Sequence, residues 1–427
     1  MRSGSKTEYM NAHKNEKLNV LSLFSGCGGM DIGFEGGFRC LRRSINTELH
    51  PDWIESEDGE WVTLRKTGFR TVFANDIRPD AKAAWVSYFS QHYGCSGDIY
   101  KIESIVDLVK AHSVGEHVFP MQADVVTGGF PCQDFSVAGK RKGFDSQRNH
   151  DGTLRSEDEP SAESRGQLYM WMRDVVTITK PNVFVAENVK GLTNLKNAKE
   201  IIERDFASAA DGGYVVVPAK LLNAADYGVP QSRERVIFFG FKKSALNPKA
   251  KAALCSESIP QEFDPYPKAT HAYTKEAPSL CAPVTCSEAF GGLAEPEESK
   301  DPAQQRYSKA KYLGRHCQGQ TEIKPHSVSP TIRAEHHGNI EFRRLGPEHG
   351  GKQQTELETG LRERRMTVRE CARLQTFPDD YRFIMPKSND RVSVSASDAY
   401  RLIGNAIPCV LAYNIAMRLE ENWEKYF

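Results

Sequence analysis

Between Leu18 and Gly240 the chain repeats one pattern: a short apolar run that closes on glycine, asparagine or an acid, followed by a helix-length segment. The runs are Asn19–Phe24, Thr71–Ala74, Ala123–Val126, Val183–Ala186 and Val236–Phe239. Most are apolar throughout rather than alternating, so both faces of each strand must be covered, and the intervening helices supply the cover. The fold class that follows is α/β, with a doubly wound parallel sheet. Such sheets bind ligands beyond the carboxyl ends of their strands, which makes the polar residues closing each run the candidate site.

The rhythm stops at residue 241. From 242 to 360 the chain is rich in Pro, Gly, Ser and His, with no βαβ repeat, and reads as a smaller irregular domain. Residues 361–427 are helical again, and Pro408 to Met417 carries apolar residues at helical spacing, which predicts a helix packed back on the first domain. The first domain is thus 18–241, preceded by a polar tail, 1–17. Two acidic blocks, 48–60 and 155–163, are expected to be solvated surface loops.

Composition excludes several classes. Ten cysteines in 427 residues, with no C-x-x-C pair, are too sparse for a disulfide scaffold and suit a reducing, cytoplasmic setting. The tail lacks the apolar stretch of a secretory signal and no uninterrupted apolar run is long enough to span a bilayer, so no membrane role is expected. His336-His337 and the separated Cys281 and Cys286 do not form the usual ligand pairs, so no metal is expected. The 56 basic and 56 acidic residues cancel, which by itself argues against nucleic acid. The total hides opposite patches: residues 301–375 hold fourteen bases and nine acids, and 139–148 hold four and one. A polarised neutral protein remains compatible with phosphate binding.

The motifs sit at the ends of the runs. Phe24-Ser25-Gly26-Cys27-Gly28-Gly29 forms a glycine-rich strand-to-helix turn, which serves a nucleotide-like cofactor or the backbone alone; its spacing departs from the G-x-G-x-x-G of nicotinamide enzymes. Asp76 closes the second run, where a carboxylate accepts ribose hydroxyls or caps a helix. Gly97-Asp98-Ile99 offers a further acceptor. In Gly128-Gly129-Phe130-Pro131-Cys132-Gln133 a cysteine follows a strand, flanked by glycines and by the basic Lys140-Arg141-Lys142. Positive charge favours the thiolate, although a buried cysteine beside a surface loop reads the same way. Glu187 follows four apolar residues, so burial is expected to raise its pKa towards neutrality. Gln231-Ser232-Arg233-Glu234-Arg235 leads into the fifth run, with both arginines on one side by alternation, suited to a phosphate or an electron-rich carbonyl, or to a salt-bridged edge.

Together and in this order, these segments resemble the DNA (cytosine-5)-methyltransferase family. The likeness runs from Val20 to about Ala416 and includes Arg365 to Gln375 and Gly404-Asn405-Ala406-Ile407. It implies that Cys132 attacks carbon 6 of a flipped cytosine, with Glu187 on ring nitrogen 3 and Arg233 and Arg235 balancing charge on the ring. It implies that S-adenosylmethionine lies over Phe24, Gly26, Gly28 and Gly29, with Asp76 on the ribose, Ile77 and Ile99 beside the adenine and Asp98 on its amino group. Gly129, Pro131, Leu168, Asn405 and Ala406 complete that site. The DNA contacts it implies are Gln133, Ser136, Lys140, Arg141, Lys142 and Gln231; in the irregular, target-recognition domain Arg333 and Asn339 are candidate base readers or parts of a structural turn. The partners are then double-stranded DNA and, for a monomeric bacterial modification enzyme, a cognate restriction endonuclease acting on the same site. Insertions at 149–164 and 48–70 depart from the family pattern. An RNA-methylating relative lacks support, because no Cys-Phe-Thr tripeptide occurs. A non-catalytic DNA-binding regulator is disfavoured by the joint presence of Cys132, Glu187 and Arg233.

Overall fold

The computed structural model describes residues 17–131, 167–194, 197–334, 340–387 and 392–427. The chain opens with strand β1 (Leu18–Leu23) and helix α1 (Gly29–Glu35), then three short strands, β2 (Arg39–Leu41), β3 (Ile54–Asp58) and β4 (Trp61–Leu64). Next come β5 (Phe69–Asn75), α2 (Pro79–His92), β6 (Tyr100–Lys101), α3 (Ile105–Ser113), β7 (Val125–Gly128) and α4 (Leu168–Thr179). The half ends with β8 (Val183–Val189), α5 (Ala198–Ala207), β9 (Tyr214–Asn223) and β10 (Glu234–Lys242).

A seven-stranded sheet runs in the order β6-β5-β1-β7-β8-β10-β9. Val183 to Ala186 of β8 are all 0 % exposed, as two-sided cover requires. Apolar clusters lie on both faces, one including Phe34, Trp85 and Ile237 and the other Leu21, Met172 and Phe184.

The all-parallel expectation fails for one strand. β10 pairs antiparallel with both β8 and β9, because it follows β9 directly and fills the gap beside β8. β6 and β9 are additions to the five runs: β6 has only two residues, and β9 contains Pro218, which an edge strand tolerates because no neighbour needs its N–H. The acidic block 48–60 is not simply loop. Part of it forms β3, which pairs with β4 and through it with β2 in a small antiparallel sheet. The second acidic block lies outside the described residues.

Beyond β10 come α6 (Pro248–Leu254), α7 (Cys286–Ala289), β11 (Phe342–Arg344), α8 (Gln354–Glu358), β12 (Arg364–Arg365), α9 (Val368–Leu374), α10 (Ala396–Asn405) and α11 (Cys409–Tyr426). Regular structure is scarce between 255 and 341, and ionic contacts do much of the holding. Glu295 takes Arg344 at 2.6 Å and Arg364 at 3.0 Å; Arg364 also holds Glu370 at 2.8 Å and Arg344 holds Glu356 at 2.9 Å. Arg365 is 1 % exposed and donates to the carbonyls of Ala310, Lys311, Gly319 and Ile340. Helix α9 starts at a reciprocal cap between Thr367 and Glu370.

Helix α11 returns to the amino-terminal half. It lies against α1 at Gly33, where a Cβ would collide with Ala412, so glycine lets the two backbones meet. Trp423 packs edge-on to Phe69 of β5, ring centroids 6.1 Å apart. The stretch 396–426 is long and apolar enough to cross a membrane, but 83 % of its apolar window is buried inside the fold, which is how a core helix looks.

Candidate active site

The carboxyl ends of β1, β5 and β7 share one rim with that of β8. Because β10 is reversed, its first residues arrive at the same rim, and Arg235 lies opposite Val189 in register. Two groups of functional side chains meet there.

The first surrounds the turn after β1. Phe24 and Gly26 adopt left-handed backbone, φ 54° in each case, and both are half-buried. Gly26 N donates to Asp76 Oδ2 at 3.1 Å and Arg78 N donates to Asp76 Oδ1 at 3.0 Å. Tyr100 donates its hydroxyl to Gly26 O at 2.8 Å, and Asp76 N donates to Lys101 O at 3.1 Å, so the segment after Asp98 lies alongside. Burial pushes the Asp76 carboxyl up to about 6, against the pull of the Arg78 N–H and guanidinium. Beside it Ile77 is 46 % exposed, an apolar face open to a ligand. Asp98 is exposed in a short turn capped by Ser96, with Ile99 half-buried beside it.

This part of the rim fits S-adenosylmethionine: a carboxylate for a ribose diol next to an uncovered apolar side chain for a purine. Several neighbours expected on the cofactor lie deeper. A Cβ on Gly28 would lie 2.7 Å from Trp85 and 2.8 Å from Phe89, so the missing side chain there makes room for core aromatics. Gly29 is closed off by Ile407 O and Ala406 Cβ, so both glycines serve packing. Leu168 is 4 % exposed and belongs to the core. Ala406 is half-buried, its carbonyl accepting from Gln375 Nε2 at 3.2 Å. Asn405, the last residue of α10, is exposed.

Under the turn lies Asp31, 1 % exposed, which accepts from Ser22 Oγ at 2.5 Å and from Trp85 Nε1 at 2.7 Å. Burial pushes its carboxyl up to about 6. Ser22 Oγ in turn takes Ser25 Oγ at 2.8 Å, linking this buried acid to the turn.

The second group centres on Glu187. Arg235 Nε approaches Glu187 Oε1 to 2.5 Å, with side chains 10 % and 13 % exposed. Glu187 is therefore ion-paired rather than alone among apolar neighbours, a partner that its four preceding residues do not reveal. A Cβ on Gly129 would lie 2.8 Å from Glu187 Oε2, so only glycine leaves room for the carboxylate there. Asn188 Nδ2 donates to Phe130 O at 3.2 Å, fixing the chain just before the half-buried Pro131.

The structure separates the two arginines. Arg233 is 0 % exposed and donates to Ile332 O at 3.0 Å and Gly404 O at 2.8 Å, so it braces backbone and is corrected from the expected role on the substrate ring. Gln231 is also 0 % exposed, donating to Leu374 O and Gln375 Oε1 and accepting from Ile332 N, which removes it from the expected DNA contacts. Arg333 pairs with the buried Glu341 at 2.8 Å. Cys132, Gln133, Ser136, Lys140, Arg141, Lys142 and Asn339 lie outside the described residues. Tyr100, Asn188, Gln375 and Asp31 went unassigned, although each stands within or beside a quoted motif, because their work is bonding to backbone or to other protein side chains.

Comparison with known proteins shows the family. The family described as C-5 cytosine-specific DNA methylase matches residues 58–421. The chain is 32 % identical over 422 residues to Type II methyltransferase M.BsuRI of Bacillus subtilis, covering 96 % of this chain and 80 % of that protein. It is 30 % identical over 444 residues to Type II methyltransferase M.NgoPII of Neisseria gonorrhoeae, covering 100 % of both. Among solved structures, the S. pombe Dnmt2 methyltransferase superimposes with a TM-score of 0.55 at 19 % identity, covering 95 % of this chain and 99 % of that one, a likeness of fold. The chain belongs to the C-5 cytosine-specific DNA methylase family: it is a DNA cytosine-5 methyltransferase of the restriction-modification type, in a family whose methyl donor is S-adenosylmethionine.

Proposed function

We propose that this enzyme methylates carbon 5 of a cytosine flipped out of one short duplex sequence, through a covalent adduct on Cys132. The observation that carries the reading is the Glu187–Arg235 pair at 2.5 Å, set beside Gly129 on the rim where Phe130 and Pro131 lead into Cys132. Carbon 5 of a stacked cytosine is unreactive and out of reach, so the base must leave the stack. The Cys132 thiolate bonds to ring carbon 6 and the electron pair of the carbon 5–carbon 6 double bond moves into the ring, leaving carbon 5 electron-rich, with Glu187 set against ring nitrogen 3 and the amino group. Arg235, held against Glu187, faces the charge that develops on the ring. S-adenosylmethionine, when bound, supplies an electrophilic methyl group that carbon 5 takes. A base then removes the carbon-5 proton, the electron pair re-forms the ring double bond, and the carbon–sulfur bond breaks to return the thiolate.

Asp76 and Ile77 hold the ribose and adenine, joined by Asp98, Ile99 and Asn405. Lys140, Arg141 and Lys142, with Gln133 and Ser136, serve as contacts to the DNA, and the recognition domain, 242–360, reads the sequence with Arg333 and Asn339 as candidate readers. The enzyme works as a cytoplasmic monomer alongside an endonuclease of the same specificity.

Expression in a host without cytosine methylation, followed by bisulfite sequencing, tests the reading: one short sequence should carry protected cytosines. Folded protein with no protected cytosine overturns it. Cys132→Ser should abolish trapping by DNA containing 5-fluorocytosine while leaving S-adenosylhomocysteine bound, and a persisting adduct would move the nucleophile elsewhere.

A further inference from the structure

Behind the Glu187–Arg235 pair lies a buried polar junction that the reaction does not use. Bonds stitch residues 329–332 alongside 230–233: Ser329 N donates to Pro230 O at 2.9 Å, Ser232 N to Ser329 O at 2.8 Å, and Thr331 Oγ1 to Ser232 O at 2.6 Å. Gln231 Oε1 accepts from Ile332 N at 2.9 Å, and Gln231 Nε2 donates to Gln375 Oε1 at 3.1 Å. Gln375 Nε2 donates to Ile403 O at 2.7 Å and to Ala406 O at 3.2 Å. Arg233 closes the circuit, one guanidinium nitrogen on Ile332 O and the other on Gly404 O. Gly404 presses against the backbone of Arg333 and Ala334 so tightly that a Cβ there has no room.

The chemistry suits arginine alone. Its planar fork presents donors in fixed directions and keeps its charge inside the protein, and Gly404 O lies in the last turn of α10, the end of a helix that favours a cation. Removing one carbonyl would strand a buried charged donor, so the segments bearing Ile332 and Gly404 must be in place together.

We infer that Arg233 is a positioning residue, with Gly404 as its counterpart, that ties the cofactor-closing segment 404–406 to the strap 329–334 of the recognition domain, so that the two are ordered as one unit. This rests on the reading that Asn405 and Ala406 close the cofactor site. One junction then sets both how tightly cofactor is held and how the strap carrying Arg333 is presented to DNA.

The test uses the full chain, with S-adenosylhomocysteine as the calorimetric probe and steady-state methylation of cognate duplex. Arg233→Lys keeps the charge but offers a single ammonium that cannot bridge both carbonyls; Gly404→Ala opens the junction from the other side. Each should weaken S-adenosylhomocysteine binding by about tenfold, the order expected for one lost charged hydrogen bond, and raise the KM for DNA by a similar factor. The rate with both ligands saturating should fall by no more than ~3-fold, since a lost binding interaction acts on KM rather than kcat. Unchanged binding and KM in a folded variant overturns the inference. So does a fall of about 100-fold in the saturated rate with binding intact, which would return Arg233 to the substrate ring. If Arg233→Lys fails to fold, Gly404→Ala decides. Wild-type protein that binds no S-adenosylhomocysteine would instead overturn the cofactor site itself.

Discussion

In the sheet, Val183 to Ala186 disappear from solvent with apolar side chains alone, whereas beyond residue 290 the hidden side chains include Arg344, Arg364 and Arg365. The first region is held by non-directional burial on two faces, the second by directional bonds between guanidiniums, carboxylates and carbonyls. Net charge therefore means different things in the two. Of the bases in 301–375, Arg343, Arg344, Arg364, Arg369 and Arg373 are paired with acids inside the protein. Arg306, Lys309, Lys311, Arg315, Lys324, Lys352 and Arg362 are exposed, so the positive surface left for phosphates is carried by these, most of them between 306 and 324.

The largest effect is expected in the ionic region. Arg364→Met leaves Glu295 without one partner and Glu370, 2 % exposed, without its closest one, and should cost ~3–5 kcal/mol by urea denaturation. A loss under about 1 kcal/mol, typical of exposed pairs, would mean that these charges do not hold the region. In the sheet, Gly240→Ala drives a Cβ into the Phe184 ring, and overpacking there should cost ~1–3 kcal/mol with the unfolding transition still cooperative. No measurable loss would show that β8 and β10 can move apart.

The smallest effect is in pH dependence, where the two regions should have opposite signs. Burial raises the pKa of Glu295, but hydrogen bonds from Arg344 and Arg364 outweigh it and hold the group at about 2. Its stabilisation is present above the ordinary value of 4.5 and disappears as pH falls through about 2. Asp31 is the reverse: raised by burial to about 6, its contribution is full below 3.8 and is lost as pH rises through about 6. Between pH 4 and 6 Asp31→Asn should thus gain stability relative to wild type, while the deficit of Glu295→Gln should shrink only as pH drops below about 4.5. Denaturation curves that stay parallel across pH would remove the contrast.

What the sequence made legible follows the same division. Continuous apolar runs announce strands, and the polar residues that close them announce the rim, so Asp76, Glu187 and the segment entering Cys132 were readable in advance. Strand direction was not, because the reversal of β10 depends on β9, an edge strand whose Pro218 disguises it. Nor were the partners of Arg233, Gln231 and Arg365, which lie many residues away and are mostly backbone carbonyls, atoms that every residue has and that no pattern marks. The roles of Gly28 and Gly29 were read as ligand approach for a related reason: a glycine states that something comes close, and Trp85 or Ile407 fills that description as well as a cofactor does.

The contact between α1 and α11 also sets a timetable. Helix α1 leaves the ribosome well before Ala412 and Tyr413, which cover it at Gly33, are made. At synthesis rates of ~5–20 residues per second the apolar side of α1 waits roughly 20–75 s for its cover. During that time the nascent chain carries an open apolar seam beside the turn that is to hold the cofactor. The two close together, so each molecule becomes competent only after helix α11 is made.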